Sequence, residues 1–325
     1  MSPFSIIILT MNALGRTIST IASVRRATEG LPVELIVVDN GSTDGLTGWL
    51  AAQPDIWLVA NGRNLGVPMA RNIGIRTARH DHLLFLDNDI DLKPHAIPMF
   101  DARLADPIVG MVGDAGSVLI PEWARGDITS HDTSDGDFPG NNFLVGYCMA
   151  TRRDVIAAVG PFDEAYPLFY WEDIDYAIRV RKAGYDLAVI SETCFHHRRA
   201  TVASANRGEF VRQVEEEGKA RTLDKHGRDC PTWALVEGGT DETVTQLEAS
   251  LRDVRPNIIL HIVSPDLSVT ERRPWRVVLP GEMYPRASYS RICTWNGGWT
   301  IGPYRTPTRD HVVAELNDAI ERRPW

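Results

Sequence analysis

Two aspartates separated by one residue are the first side chains of this sequence with a clear chemical use. Asp87-Asn88-Asp89 directly follows an apolar run, His82 to Leu86. Carboxylates at the end of an apolar strand offer hard oxygen ligands, which Mg²⁺ and Mn²⁺ prefer. A cation held there could stabilise the charge of a departing diphosphate. A solvated acidic turn is the alternative, although Asp91 extends the cluster beyond what such a turn needs.

A second acidic pair, Glu172-Asp173, stands at the start of a predicted helix that extends to Ala183. The helix dipole favours ionised carboxylates in this position, and such a group can act as a general base toward a hydroxyl. Helix capping explains the same residues without catalysis, and Asp175 fits that explanation alone. Trp171, directly before the pair, is predicted to form part of an acceptor wall.

Two neighbouring histidines, His196 and His197, follow an apolar and aromatic stretch. An imidazole is a common metal ligand, so one of them could complement the carboxylates. The next residues, Arg198 and Arg199, could neutralise a diphosphate or an anionic acceptor through bidentate contacts. A solvated surface pair is the alternative for both the histidines and the arginines.

The segment Asp39-Asn40-Gly41-Ser42-Thr43-Asp44 follows another apolar run. These residue types form ordinary turns, and Ser42 or Asp44 could cap the next helix. Asp39 could instead accept hydrogen bonds from a base or a ribose. The glycine spacing fits neither the Rossmann fingerprint nor a P-loop, which argues against those two classes of nucleotide enzyme.

Strands and helices alternate along the part of the chain that must position these groups. Such alternation predicts an α/β fold with a mostly parallel sheet and right-handed crossovers, in which ligands bind beyond the carboxyl ends of the strands. The predicted strands are Phe4 to Thr10, Val33 to Val38, Ile56 to Ala60, His82 to Leu86 and Tyr185 to Ile190; the predicted helices are Arg16 to Thr28, Leu46 to Gln53, Pro68 to Ala78, Asp154 to Val159 and Glu172 to Ala183.

The remaining segments are less periodic. Pro121 to Asn142 is rich in Gly, Asp, Ser and His, which predicts a long surface loop. Beyond about Gly227 the composition changes, and we expect a small C-terminal α+β appendage. Its predicted elements are the strands Ile258 to Val263 and Trp275 to Leu279 and a final helix, Asp310 to Arg322; Trp295, Trp299 and Tyr304 are expected to pack its core, with stacking on sugars or bases as the alternative.

Several motifs together resemble the family 2 glycosyltransferases of the GT-A fold, especially their rhamnosyltransferase-like branch. The resemblance covers about residues 4 to 200. The motifs are Ile6-Ile7-Ile8-Leu9-Thr10-Met11-Asn12, Val37-Val38-Asp39-Asn40-Gly41-Ser42-Thr43-Asp44, Asn64-Leu65-Gly66 with Ala70-Arg71-Asn72, Phe85-Leu86-Asp87-Asn88-Asp89, Gly160-Pro161-Phe162-Asp163-Glu164 and Tyr170-Trp171-Glu172-Asp173-Ile174-Asp175-Tyr176.

The resemblance implies a Rossmann-like, mostly parallel sheet and a metal-dependent, inverting transfer from a nucleotide sugar. It implies that Asp173, with Glu172 beside it, is the general base, and that Asp89 and His196 bind Mn²⁺ or Mg²⁺. His197 stays open as the metal ligand. The implied donor site comprises Thr10, Asn12, Asp39, Asn40, Ser42, Asn64, Gly66, Arg71, Asp87, Asn88 and Trp171. Many relatives follow the histidine with glycines and a hydroxyl residue, whereas this chain has Arg198-Arg199-Ala200-Thr201.

Composition limits the remaining alternatives. With 325 residues, 43% hydrophobic and 24% charged, the chain is of the globular class, and we expect a glycosyltransferase domain over 1-228 and an accessory region over 229-325, for acceptor binding or oligomerisation. The net charge of -9 disfavours nucleic acid as the acceptor without excluding it. No apolar run is long enough for a transmembrane segment, and four widely spaced cysteines predict reduced thiols, so we expect a cytoplasmic enzyme.

The partners expected from the sequence are a nucleotide-sugar donor, linked to UDP, dTDP or GDP, and a glycan or other hydroxyl acceptor, in glycan, polysaccharide or glycoconjugate biosynthesis. A homo-oligomer is compatible with the sequence. The alternatives are a noncatalytic module that binds a nucleotide sugar or a glycan, and a nucleotidyltransferase of similar fold. The chain keeps all four carboxylates of the two acidic pairs, which argues against a degenerate binding module, and a Gly-rich triphosphate loop near the N-terminus is missing.

Overall fold

The structure is a computed structural model that describes residues 1–122, 127–132, 143–197, 208–226, 232–254, 258–263, 276–278, 291–297 and 299–301. The first helices are α1 (Leu14–Ala27), α2 (Leu46–Ala51), α3 (Val67–Thr77) and α4 (Ala96–Leu104), and α5 (Arg153–Val159), α6 (Glu172–Lys182), α7 (Glu209–His226) and α8 (Asp241–Val254) follow.

The central sheet contains seven strands in the order β11-β6-β10-β4-β1-β2-β3. These strands are β1 (Phe4–Thr10), β2 (Val33–Asp39), β3 (Ile56–Ala60), β4 (His82–Asp87), β6 (Val109–Gly113), β10 (Cys148–Arg152) and β11 (Asp186–Val189). Every pairing is parallel except those of β10, which runs antiparallel between β4 and β6. The predicted α/β fold with a mostly parallel sheet is therefore confirmed.

Helices cover both faces of this sheet, which explains why its inner strands are apolar throughout. All seven residues of β1 are buried. Alternate side chains point to opposite faces: Ile7 and Leu9 belong to one hydrophobic cluster, and Ile6 and Ile8 belong to the other. A strand buried on both faces reads as a continuous hydrophobic run, as this one does.

Two small sheets lie outside the central one. β5 (Ile90–Leu92) pairs antiparallel with β12 (Cys194–His196). β7 (Gly116–Glu122) pairs antiparallel with β8 (Asp127–Asp132) and with β9 (Phe143–Leu144). The prediction of a loop over Pro121 to Asn142 is wrong for 121–122 and 127–132, because pairing with a neighbouring strand supplies the order that their polar composition does not indicate.

The described C-terminal strands form a separate five-stranded sheet, β15-β14-β13-β16-β17. The strands are β13 (Thr232–Glu237), β14 (Ile258–Val263), β15 (Arg276–Val278), β16 (Arg291–Trp295) and β17 (Trp299–Ile301). All pairings except β16 with β17 are parallel, and α8 connects β13 to β14. This arrangement is α/β and differs from the α+β appendage that the sequence suggests. The predicted helix at 310–322 lies outside the described residues, as do Tyr304 and the side chains of Trp295 and Trp299.

Three cysteines, Cys148, Cys194 and Cys293, are buried and outside any disulfide of the described structure, while Cys230 lies outside the described residues. Among the helices that the structure describes, none combines the length and the hydropathy needed to cross a bilayer.

Candidate active site

The polar residues at the ends of β1, β2 and β4 meet at one edge of the central sheet. In the strand register Thr10 lies beside Asp39, and Leu9 lies beside Asp87. Because the parallel strands β1, β2 and β4 end together, three segments distant in sequence converge there.

The Asp39 carboxylate organises the turn that follows β2. Its Oδ1 accepts hydrogen bonds from the Ser42 backbone N–H (3.0 Å) and the Ser42 hydroxyl (2.6 Å), and its Oδ2 accepts one from the Thr47 hydroxyl. Only 1% of Asp39 is exposed. In this structure Asp39 therefore holds its own turn, and its predicted contact with a nucleoside stays a prediction.

Asn12 joins the turn after β2 to the turn after β1. The Asn12 backbone N–H donates to the Ser42 hydroxyl (2.7 Å), and the Asn12 side-chain oxygen accepts from the Thr43 N–H (2.8 Å). Asp44 accepts hydrogen bonds from Leu14 at the start of α1 and from Leu46 at the start of α2. Of the two predicted capping residues, Asp44 is the one that bonds to the first turn of α2, from the position before the N-cap residue Gly45.

Asn40 ties the turn after β2 to the loop after β3. Its amide nitrogen donates to the Asn64 side chain (2.9 Å) and to the Gly66 carbonyl (3.3 Å), and its oxygen accepts from the Leu65 N–H. Gly66 has a φ of 83°, and a Cβ there would lie 3.3 Å from the Cα of Leu168. A side chain at this position would push two loops apart, which explains the glycine.

Thr10 and Asn88 form a polar contact between the strand ends and α1. The Asn88 amide donates to the hydroxyls of Thr10 (3.1 Å) and Thr17 (3.2 Å), and the Thr20 hydroxyl donates to the Asn88 carbonyl (2.9 Å). These bonds fix the backbone between the two aspartates of the predicted metal-binding segment. The carboxylates on either side of Asn88 are thereby held in place.

Asp89 is a fully buried carboxylate whose two oxygens have no hydrogen-bond partner in the described structure. The nearest complementary group is His196, whose Nε2 lies 3.5 Å from Asp89 Oδ2, and the Nδ1 of His196 also lacks a partner. A buried charge without a partner is costly, so this pair has the character of a set of metal ligands. Among the described residues, no group of three or more His, Cys, Asp or Glu is placed to hold a metal.

The second histidine pairs with a different aspartate. His197 Nε2 lies 2.8 Å from Asp91 Oδ2, and the His197 backbone N–H donates to the Asp89 carbonyl (3.0 Å). This geometry separates the two histidines, because the His196 ring lies beside the Asp89 carboxylate and the His197 ring lies beside the Asp91 carboxylate. Arg198 to Thr201 lie outside the described residues.

The two predicted catalytic carboxylates at the start of α6, Glu172 and Asp173, are held by Arg71 and Gly146. Arg71 is 2% exposed and donates to Glu172 Oε1 (2.9 Å) and to the Gly146 carbonyl (2.8 Å). The Gly146 N–H donates to Asp173 Oδ2 (2.9 Å). Arg71 also approaches Asp87 Oδ1 at 3.9 Å, so it links the two acidic motifs.

The protonation of these carboxylates reflects their shared burial. Burial raises the pKa of Asp87 to about 6, although 37% of its side chain is accessible; Arg71 opposes the rise, and Asp89 adds to it. Burial raises the pKa of Glu172 to about 7 and also raises the pKa of Asp173, in both cases against the charge of Arg71. Clustered carboxyl groups with raised pKa values are common at functional sites.

Trp171 is buried beneath α7 in this structure, with 7% of its surface exposed. A Cβ on Gly218 of α7 would lie 2.9 Å from its side chain, so the helix packs directly on the ring. Asp175, for which the sequence predicts helix capping alone, is fully buried and contacts Arg179 (2.9 Å), Lys225 (2.7 Å) and His226 (2.8 Å). These contacts dock α7 against α6, which carries the predicted base and is called the base helix below. The role of Trp171 in an acceptor wall stays a prediction.

Sequence reasoning missed the segment that connects the two halves of the site. Besides the bonds of Gly146, the carbonyl of Tyr147 accepts from the Asp87 N–H (3.0 Å), and the Tyr147 ring stacks on His196 with centroids 4.2 Å apart. The Tyr147 hydroxyl in turn donates to Asp114 (3.0 Å). Asp114 follows the apolar strand β6, so the rule that selected Asp39 and Asp87 would have selected it as well.

Two solved glycosyltransferases have a partly similar fold. The mannosyltransferase PcManGT of Pyrobaculum calidifontis, in complex with GDP-Man and Mn²⁺, has a TM-score of 0.46 and 17% identity, over 78% of this chain and 81% of its own. GalNAc-T7, with UDP, GalNAc and Mn²⁺, has a TM-score of 0.48 and 14% identity, over 58% and 42%. Both scores are below 0.5, too low for a ligand to be carried over.

The sequence matches are more specific. The family model described as Glycosyl transferase family 2 matches residues 5–160. Proteins of two Mycobacterium tuberculosis strains, each described as N-acetylglucosaminyl-diphospho-decaprenol L-rhamnosyltransferase, are 31% identical over 219 residues, which is 55% of this chain and 70% of theirs. The chain therefore belongs to glycosyl transferase family 2, is a glycosyltransferase, and is similar to the rhamnosyltransferases of that family.

Proposed function

We propose that this protein is an inverting, metal-dependent glycosyltransferase that transfers a sugar from a UDP-, dTDP- or GDP-linked donor to an acceptor hydroxyl, in the synthesis of a glycan, polysaccharide or glycoconjugate. The observation that carries the proposal is the convergence of three groups around Gly146 and Tyr147. These groups are the Asp173 carboxylate, bonded to the Gly146 N–H; Asp87, whose backbone N–H bonds to the Tyr147 carbonyl and whose carboxylate lies 3.9 Å from Arg71; and the Asp89–His196 pair, on which the Tyr147 ring stacks through His196.

Asp173 is the better candidate for the base. Glu172 is 4% exposed and is engaged with Arg71, whereas Asp173 is only partly buried. The backbone N–H groups of Gly146 and Ile174 each donate a hydrogen bond to one Asp173 oxygen, and both of these donors are uncharged. Each oxygen keeps lone-pair capacity for a hydroxyl proton, so Asp173 can accept that proton while Arg71 and Glu172 position it.

The reaction follows as one displacement. The acceptor oxygen forms a bond to the anomeric carbon as its proton moves to an Asp173 oxygen. The bond from the anomeric carbon to the donor phosphate breaks, and the nucleoside diphosphate departs with the electron pair. Attack opposite the leaving group inverts the anomeric configuration. The raised pKa of Asp173 suits it to hold a proton at this stage.

The residues beside the leaving group fit a divalent cation. The orphaned oxygens of Asp89 and the nearby Nε2 of His196 would hold it, and a mixed oxygen and nitrogen set favours Mn²⁺ over Mg²⁺. When bound, the cation would supply positive charge that stabilises the departing diphosphate.

Most other predicted donor-site residues hydrogen bond with one another, so we infer that they shape the donor pocket by fixing its loops. Within the described residues, Asp87 keeps an accessible carboxylate, which makes it the candidate for direct contact with the sugar. The residues that fix the loops are Thr10, Asn12, Asp39, Asn40, Ser42, Asn64, Gly66 and Asn88.

The similarity to rhamnosyltransferases selects the first substrates to test. We propose dTDP-rhamnose as the first donor and an N-acetylglucosaminyl diphosphate lipid as the first acceptor, because the relatives' description names L-rhamnosyl transfer and that acceptor. We further propose a catalytic domain at 1-228, an accessory region at 229-325 and a cytoplasmic location.

Thermal unfolding with a panel of UDP-, dTDP- and GDP-sugars tests donor binding. A bound donor stabilises the native state in proportion to its affinity, so at least one nucleotide sugar should raise the midpoint, and only with Mn²⁺ or Mg²⁺ present. Asp173→Asn should keep that rise and lose sugar transfer, because the amide cannot accept the hydroxyl proton. A panel without any stabilising donor would refute the proposal.

A further inference from the structure

A cavity of about 340 Å³ lies between α7 and the loops near the base helix. One wall consists of Leu65 and residues 166–168; the other consists of Phe210, Gln213, Val214 and Glu217 of α7. These four positions have the spacing of a single helix face. None of the predicted site residues is among the described residues that line this α7 cavity, although Asn64 and Gly66 of the predicted donor site flank Leu65.

The α7 cavity is bordered by exposed aromatic rings. Phe210 is 56% exposed and Tyr170 is 41% exposed. The Phe169 ring contacts both, with centroid distances of 4.9 Å to Tyr170 and 6.3 Å to Phe210. Large apolar side chains that stay exposed beside a concavity are typical of ligand sites, which combine apolar walls with a few polar groups.

The polar groups of the α7 cavity select the class of ligand. Gln213 and Glu217 are exposed on α7, and the Gln213 amide donates to Glu217 Oε1 (3.0 Å). Among the lining residues that the structure describes, none is Lys or Arg and Glu217 carries a negative charge, which disfavours a diphosphate. A neutral sugar ring matches this chemistry, because its C–H face packs on an aromatic ring and its hydroxyls bond to amide and carboxylate oxygens.

The position of the α7 cavity favours the acceptor over the donor. Leu168, which lines it, stands five residues before Asp173, so their Cα atoms are within about 18 Å even for an extended chain. Gly218 of α7 packs on Trp171, two residues before the base. We propose that the α7 cavity binds a neutral sugar ring of the acceptor; this assignment to the acceptor rests on the proposed glycosyl transfer, whereas the binding of a sugar does not.

Saturation-transfer NMR on the full chain tests the binding directly. The probes are the methyl glycosides of N-acetylglucosamine, L-rhamnose, D-mannose and D-galactose. At least one should receive saturation from the wild-type protein, and Mn²⁺ with UDP, dTDP or GDP should not displace it. Phe210→Ala should weaken its affinity about tenfold, since a stacking surface is lost.

A matched control distinguishes binding at this site from nonspecific binding to exposed aromatic side chains. Trp57 is also 56% exposed, on β3, and Trp57→Ala should leave sugar binding unchanged. The inference is overturned if no probe binds, if a nucleotide displaces the probe, or if Phe210→Ala and Glu217→Gln both bind as the wild type does. Sugar binding that survives while every nucleotide sugar fails to stabilise the protein would overturn the proposed function and the assignment to an acceptor, and would leave the α7 cavity as a sugar-binding site.

Discussion

Replacing Asp89 with asparagine should stabilise the metal-free protein and abolish its response to Mn²⁺. The Asp89 carboxylate is fully buried, and neither of its oxygens has a hydrogen-bond partner. The nearest cationic candidate, His196, lies 3.5 Å away without a hydrogen bond. An amide of the same shape removes the charge without opening a cavity, so it relieves the cost of burying a carboxylate that has no hydrogen-bond partner in the protein.

The size of this effect follows from the desolvation of the carboxylate. A buried polar group left unsatisfied costs about 1–3 kcal/mol, and more if it is charged. The asparagine also lacks partners, so we expect a net gain of about 1–2 kcal/mol, or about 2–8 °C in the unfolding midpoint for a domain of this size. Saturating Mn²⁺ should reverse the order, since a ligand at a hundred times its Kd stabilises the wild type by about 2.7 kcal/mol.

Thermal unfolding of both proteins, once with a chelator and once with Mn²⁺, measures both effects: the higher midpoint of Asp89→Asn without metal and the higher midpoint of the wild type with metal. Asp81→Asn is a suitable control, because the Asp81 side chain is 86% exposed and should tolerate the same chemical change under both conditions. A variant that is less stable than the wild type without metal would refute the reasoning. It would mean that the carboxylate already has a stabilising partner, such as a protonated His196.

Three further predictions concern the base helix. Gly146→Ala should lower the transfer rate at least about tenfold, because a Cβ would lie 2.8 Å from Arg71 and 3.0 Å from Asp173, whereas Gly15→Ala, with nothing within 4 Å, should be neutral in the same assay. The rate should fall as pH drops through the raised pKa of Asp173, so the acidic limb of the pH-rate profile should lie above the ordinary aspartate value of about 3.9 and shift upward in Arg71→Met. Asp175→Asn should lower the free energy of unfolding in urea by about 3 kcal/mol near neutral pH. A hydrogen bond from His226 and the charge of Arg179 lower the pKa of Asp175 despite its burial. The carboxylate therefore stabilises the fold fully above the pKa it has in the unfolded chain, and this contribution disappears as pH falls through the lowered pKa of the folded state.

The sequence predicts best those features that depend on neighbouring residues. The bounds of β1, β3 and β14 are as predicted, because each is an apolar run with turn residues at its ends. The polar segments after β1, β2 and β4 converge as expected, since parallel strands share one carboxyl edge.

Features decided by contacts between distant segments were harder to predict. Neither the antiparallel insertion of β10 between β4 and β6 nor the pairing of β5 with β12 leaves a local signal. That insertion brings Gly146 and Tyr147 into the centre of the site. The sequence predicts Asp39 just after the second strand and the structure has it as the last residue of β2, but its engagement with Ser42 and Thr47 depends on the conformation of the turn.

Product analysis after transfer tests the central claim most directly. With an active donor and acceptor in the presence of Mn²⁺, NMR of the product's anomeric proton should show the configuration opposite to that of the donor. Asp173→Asn should bind the donor as the wild type does and form no product. Retained configuration, or transfer by Asp173→Asn at the wild-type rate, would contradict the account.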